Sequence, residues 1–184
     1  KRINDQSGNA RHREQATIAK QPLWLTAIQN GLAVGRFDGT DDFDQSLANF
    51  GAQPITIIGA IKTSNAPPTQ IQWDGVGAER CLMQHSGTLT QDVYSGTIVG
   101  AAHTAGAFHV YETFHNGASS AIYVDGVQLA TGDAGSQGLS TGFTVGANYV
   151  GDGAASMDDG EVLICTGVLT SGQRASIANY LKAR

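Results

Sequence analysis

Short runs of apolar residues, alternating with polar ones at every second position, recur along this chain and are separated by Gly, Asn, Asp and Pro. Ile55–Lys62 shows the pattern most plainly: Ile55, Ile57 and Ile61 fall on one face, Thr56 and Lys62 on the other. Asn65-Ala66-Pro67-Pro68 closes that run, because prolines cannot join a sheet interior. Further strands are predicted at residues 32–37, 71–73, 80–84, 93–101, 107–114, 121–124, 127–130, 143–147 and 161–166. Close spacing with turn signals between the runs is the pattern of a β-sandwich. Residues 1–31 read as polar and turn-rich. One helix is predicted at the end: Thr170 caps it, Gln173 returns the bond three residues on, and Ile177, Tyr180 and Leu181 form its apolar stripe.

The middle of the chain carries a register expectation. With Phe108, Val110 and Phe114 inward, His109, Tyr111 and Thr113 share the outer face. Matching faces then sets Val110 opposite Val124 and Tyr111 opposite Tyr123, across a loop at His115–Ser119. Asp125-Gly126 makes a two-residue hairpin that pairs Val124 with Val127, Ile122 with Leu129, and Tyr123 with Gln128. Glu112 is anomalous, since by parity it lands on the apolar face, where a carboxylate is costly: either it lies near the sheet rim, or it has a partner such as an Arg or a Tyr hydroxyl, with a hidden catalytic acid as a third reading. The expected core is Phe37, Ile55, Ile57, Ile61, Phe108, Val110, Ile122, Val124, Leu129, Val145, Val162 and Ile164.

Composition narrows the class. The 184 residues suit a single domain, 1–184, and 24 glycines with only 15% charged residues fit an all-β chain with many turns. A net charge of −5 without a basic cluster argues against nucleic acid, and no apolar run reaches the roughly 18 residues of a membrane span. Lys1, Arg2, Arg11 and Arg13, offset by Asp5 and Glu14, read as a solvated surface. The absence of an initiating Met and of a signal peptide reads as a processed or trimmed start. Cys81 and Cys165 read as buried free thiols, with one disulfide as the alternative.

Two groups of residues suggest ligands. Asp38, Asp41, Asp42 and Asp44 crowd four carboxylates into one turn, the oxygen chemistry calcium prefers; the alternative is a turn whose Asp side chains bond nearby backbone N–H groups. His109, Tyr111, Thr113, Tyr123 and Gln128 form the expected exposed face, where aromatic rings and hydrogen-bonding neighbours suit a saccharide; the alternative is a cross-strand Tyr pair that only stabilises the sheet. His12, His85, His103, His109 and His115 show no zinc-ligand spacing.

Several segments, in order, resemble laminin-G-like jelly rolls of the concanavalin A-like superfamily. These are Asp5-Gln6-Ser7-Gly8-Asn9, Gln21-Pro22, residues 36–43, Phe108-His109-Val110 with Ile122 to Val127, residues 144–147, residues 160–164, and Leu169-Thr170 through Tyr180-Leu181. Phe108 stands where the family usually has Trp, and Cys165 where it has Tyr. The resemblance implies an antiparallel two-sheet β-sandwich with one short C-terminal α-helix. It also implies a non-catalytic module at a virion or extracellular surface, such as a phage capsid-decoration or tail component or a secreted adhesion domain. Its partners would be a protein assembly, a further copy in a homo-oligomer, or cell-surface glycans. The strand that precedes the family's opening loop is not among these residues, so the expectation is an edge either missing or supplied by another chain. The alternative is a polysaccharide-degrading glycoside hydrolase or lyase of the same fold. Against it, the E-x-D-x-x-E pattern of laminarinase-type relatives is missing, and Asp158-Asp159-Gly160-Glu161 differs from it in order and spacing.

Overall fold

A computed structural model describes residues 1–64, 69–86 and 90–183. The proline pair at 67 and 68, read above as a strand terminator, lies outside the described residues. In chain order the strands are β1 (Arg2–Ile3), β2 (Arg13–Glu14), β3 (Leu23–Gln29), β4 (Leu32–Asp38), β5 (Asp44–Ser46), β6 (Ile55–Thr63), β7 (Gln70–Gly75), β8 (Leu82–His85), β9 (Thr90–Tyr94), β10 (Ile98–Ala102), β11 (Phe108–His115), β12 (Ser120–Val124), β13 (Val127–Gly132), β14 (Phe143–Val145) and β15 (Ser156–Thr166). Helix α1 covers Ser171–Ala183. Among the described residues the strands form an eight-stranded sheet, β1-β2-β5-β14-β7-β8-β9-β10, and a seven-stranded sheet, β13-β12-β11-β6-β15-β4-β3. The pairing is antiparallel throughout these two sheets, which is the jelly-roll sandwich expected from the sequence.

The main core lies between the sheets. Ile55, Ile57 and Ile61 of β6 meet Trp73 of β7, Met83, Val93, Phe143 and Val145 from the other sheet. Gly59 leaves room for this packing: a Cβ there would come within 3.2 Å of the Trp73 ring and 3.1 Å of Val162. The even positions of the same strand serve a second, smaller core on the outside, where Ile58 and Val110 pack under Ala178 and Leu181 of α1. The helix begins as read: Gln173 N–H donates to Thr170 Oγ1 at 3.2 Å, and Thr170 N–H donates to Gln173 Oε1 at 2.9 Å. Its buried stripe uses Ala178 in place of Tyr180, which is 44% exposed and donates its hydroxyl to Glu161.

Three local expectations change. The run 93–101 is two strands, β9 and β10, turned at Ser95-Gly96-Thr97. Residues 1–31 are not all loop, since β1, β2 and the edge strand β3 lie within them. Above all, the register of β11 against β12 differs by one residue: Tyr111 pairs with Val124, Glu112 with Tyr123 and Thr113 with Ile122. A slip of one residue exchanges the faces. His109, Tyr111, Thr113 and His115 therefore point between the sheets, while Phe108, Val110, Glu112 and Phe114 point outward. Polarity could not decide this because α1 buries the outward face as well, so both faces of β11 are largely dry. The inward polar groups are paired, Tyr111 Oη with His103 Nε2 at 3.1 Å and Thr113 Oγ1 with His115 Nε2 at 3.1 Å. The hairpin keeps its expected Asp125-Gly126 turn, with φ of 54° and 87°, and its Val124–Val127 and Tyr123–Gln128 pairs. Beyond them a bulge moves Ile122 opposite Ala130 rather than Leu129.

Candidate functional site

The slipped register separates the five residues expected on one exposed face. Tyr111 and Thr113 are both 0% exposed and part of the interior, whereas Tyr123 and Gln128 lie outside, joined by a 3.0 Å hydrogen bond. His109 sits at the end of β11 with Nδ1 2.7 Å from Asp125 Oδ2. Tyr123 is occupied as well, for the Arg174 guanidinium of α1 lies 3.9 Å from its ring centroid. No continuous platform joins the five. Burial lifts the Tyr111 phenol above the usual range, so it stays protonated inside the protein.

The acidic turn also divides. Asp38, Asp41 and Asp42 bring carboxylate oxygens within 4.8 Å of one another. Asp38 Oδ1 accepts Thr40 N–H at 2.7 Å, and Asp42 Oδ2 accepts Asp38 N–H at 3.1 Å, so both serve the turn's own backbone. Asp44 turns inward to Arg13 at 3.1 Å instead, and the four-carboxylate set does not assemble. Arg13, read as a surface charge, in fact reaches between the sheets to Asp44 and to Asp159, the latter at 2.8 Å, with 13% of its side chain exposed.

A buried string of nucleophile-like groups runs through the interior. Cys81 and Ser95 lie 3.8 Å apart, Ser95 Oγ lies 2.6 Å from His115 Nδ1, and all three residues are 0% exposed. Burial drives His115 down to about 3 and the Cys81 thiol up to about 12, which leaves both neutral. Sealed from solvent, this string pairs the polar groups of the core rather than presenting them to a substrate. Both cysteines are free, and Cys165 is half-buried. Glu112 has the arginine partner its position demanded: Arg174 Nε stands 2.8 Å from Oε1.

The outer face of the eight-stranded sheet carries a strip of polar residues that the sequence did not reveal, with Asp74 and Thr144 0% exposed and Asp92 7%. Phe143, Val145, Trp73, Met83 and Val93 point into the core, so their strand neighbours Thr144, Asp74, Gln84, Asp92 and Tyr94 point away from it. Gln45 joins this strip, donating to Thr144 Oγ1 at 3.0 Å, and Gln84 donates to Asp92 at 3.3 Å. At its centre Arg80 Nη2 lies 2.6 Å from the fully buried Asp74, with Nε bridging both carboxylate oxygens. Burial pushes Asp74 up and the Arg80 contact pulls it back. The Arg80 guanidinium sits 5.4 Å from the Tyr94 ring centroid. Its hydrogen bonds to Asp74 raise its pKa most, and the Tyr94 and Tyr149 phenols add to the rise. Tyr149, 39% exposed, enters from the loop after β14, whose backbone is held by Gln45. The Tyr94 ring thus lies against a fixed cation among amide and carboxylate groups.

No protein-family model matches this chain, and no curated protein does. Solved structures do. Domain 4 of AbnA, a GH43 extracellular arabinanase from Geobacillus stearothermophilus in complex with arabinotriose, superposes with a TM-score of 0.67 at 13% identity, over 90% of this chain and 82% of that domain. A putative carbohydrate binding protein from Bacteroides ovatus matches with a TM-score of 0.61 at 14% identity, over 76% of this chain and 45% of its own. Trypanosoma rangeli sialidase in complex with the inhibitor DANA matches with a TM-score of 0.62 at 10% identity, over 80% of this chain. The chain spans only 27% of that sialidase's length. These likenesses show the fold: the protein is an antiparallel jelly-roll β-sandwich.

Proposed function

We propose that this protein is a non-catalytic carbohydrate-binding module of the laminin-G-like kind, and that it holds its glycan on the outer face of the eight-stranded sheet. The observation that carries the reading is the Asp74-anchored Arg80 against the Tyr94 ring. Sugar rings present apolar C–H faces and hydroxyl rims, and this strip offers ring surface beside fixed donors and acceptors. The whole-domain likeness to the arabinotriose-bound domain supports the same class. A virion or extracellular surface is the setting that the laminin-G-like resemblance favours. The open face buries little of a ligand, so affinity is weak.

An oligosaccharide array followed by calorimetry tests this, with arabinotriose among the probes. Tyr149→Ala and Tyr94→Ala should each weaken binding at least about fivefold, equivalent to about 1 kcal/mol. An array without a hit, or binding indifferent to both substitutions, would refute the site. Turnover of a polysaccharide by the purified protein would instead favour the hydrolase or lyase reading.

A further inference from the structure

The opposite side of the sandwich holds a second, chemically different feature. An open cleft of about 480 Å³ on the seven-stranded sheet is lined by Arg36, Lys62, Ser64, Ser156 and Asp158, among others. Asp158 of β15 lies directly between Arg36 of β4 and Lys62 of β6 in the strand register. Neighbouring strands stand about 4.8 Å apart, so the three charges form a row roughly 10 Å long. All three face outward, since Phe37, Ile61 and Met157 beside them point into the core. On a chain with net charge −5, this row keeps an excess of one positive charge.

The hydrogen bonds show what the row has left to offer. Asp158 gives one oxygen to Arg36 Nε at 2.6 Å and the other to Nη2 at 2.8 Å, so its charge is committed. A guanidinium carries five N–H donors, and this pairing occupies only its Nε edge. The Nη1–Nη2 edge stays free on a side chain that is 47% exposed. That edge matches a second carboxylate in plane. The Lys62 side chain is exposed and, among the described residues, makes no hydrogen bond or ion pair. The row continues into apolar groups at both ends, Leu23 beside Arg36 and Phe108 beside Lys62.

We propose that this cleft is a second ligand site, which takes the carboxylate of an acidic saccharide between Lys62 and Arg36. The proposal rests on the carbohydrate-binding reading for the saccharide, and on its own residues for the carboxylate. It differs from the Tyr94 strip in charge balance: there Asp74 and Asp92 outnumber Arg80, whereas here Arg36 and Lys62 outnumber Asp158, so that strip suits neutral sugars. Binding at the cleft is electrostatic and exposed, and therefore falls as salt is raised.

Titration calorimetry of the whole protein at low ionic strength tests the site, with an oligogalacturonate as probe and its fully methyl-esterified form as the uncharged control. The acid form should bind and the ester should not. Lys62→Gln should weaken the acid form at least about tenfold, with an unchanged melting temperature because the Lys62 ammonium has no partner among the described residues. Arg36→Lys, which keeps the charge but loses the planar edge, should also weaken it. No binding of the acid form, equal binding of acid and ester, or indifference to Lys62→Gln overturns the site. A sulfated dextran that binds in place of the oligogalacturonate overturns the carboxylate assignment. Tyr149→Ala should leave oligogalacturonate binding intact. Loss of neutral-glycan binding in that variant alone therefore separates the two sites, and failure of one does not carry the other with it.

Discussion

Arg174 of α1 and Glu112 of β11 meet at 2.8 Å beneath the helix, the carboxylate 5% exposed and the guanidinium 24%. The facing N–H and oxygen are close but out of line, which makes the contact ionic more than hydrogen-bonded. Removing the cation alone strands a carboxylate in a nearly dry site, so Arg174→Ala should cost about 2–4 kcal/mol in urea unfolding, the partial exposure of Arg174 reducing the larger cost of a sealed pair. Arg174→Met combined with Glu112→Gln should recover most of that loss. An additive double-mutant cycle would show that the two do not interact.

Tyr111 fills the space between the sheets, its hydroxyl 3.1 Å from His103 Nε2. Tyr111→Ala should therefore destabilise by about 3–5 kcal/mol, as large core truncations do. Tyr111→Phe keeps the volume and orphans only the His103 contact, so about 1–2 kcal/mol is expected. A surface-like cost for Tyr111→Ala would restore the exposed-face register. Chemical denaturation distinguishes the two cases.

His115 sets a pH dependence. Burial lowers its pKa from 6.5 to about 3, so the unfolded chain binds the proton first as pH falls. Its contribution is fully present above pH 6.5 and is lost as pH falls towards 3, by up to about 1.4 kcal/mol per unit. Asp44 acts oppositely: burial, opposed by Arg13, raises its carboxyl from 3.8 to about 6, so its contribution is present below 3.8 and lost as pH rises through 6. The difference between wild type and His115→Gln isolates the histidine. Unfolding free energies of the two should converge as the pH is lowered from 6.5, and parallel curves would contradict the buried neutral imidazole.

Calcium is tested at the Asp38–Asp41–Asp42 turn. Two of its oxygens already serve backbone N–H groups and Asp44 is held by Arg13. Melting curves in chelator and in millimolar calcium should coincide. A higher melting temperature with calcium would show an ion bound to the folded state alone.

Much of the fold was legible because its signals are local. The odd positions of Ile55–Lys62, the Asp125-Gly126 turn and the Thr170–Gln173 cap each depend on a few adjacent residues. The β11 register was not legible, since alternation identifies a face only when the other is wet, and α1 dries both. Edge strand β3 was missed because Leu23, Trp24 and Ile28 are exposed in sequence neighbours that show no alternation. Arg13 read as surface because its two carboxylates are remote in sequence. The outer-face strip draws Gln45, Asp74, Gln84, Asp92, Tyr94 and Thr144 from five strands, and no window of sequence brings them together. Their outward parity becomes visible once the strands are aligned.

The Arg13 contact has a consequence for how the chain can be cut. Arg13 belongs to the eight-stranded sheet, while Asp159 belongs to the other, so one guanidinium pins both layers from inside. A recombinant boundary drawn at residue 22, trimming what looks like a polar tail, would leave Asp44 and Asp159 facing each other across an apolar interior without their shared cation. Such a truncation should lose stability far out of proportion to the surface it removes.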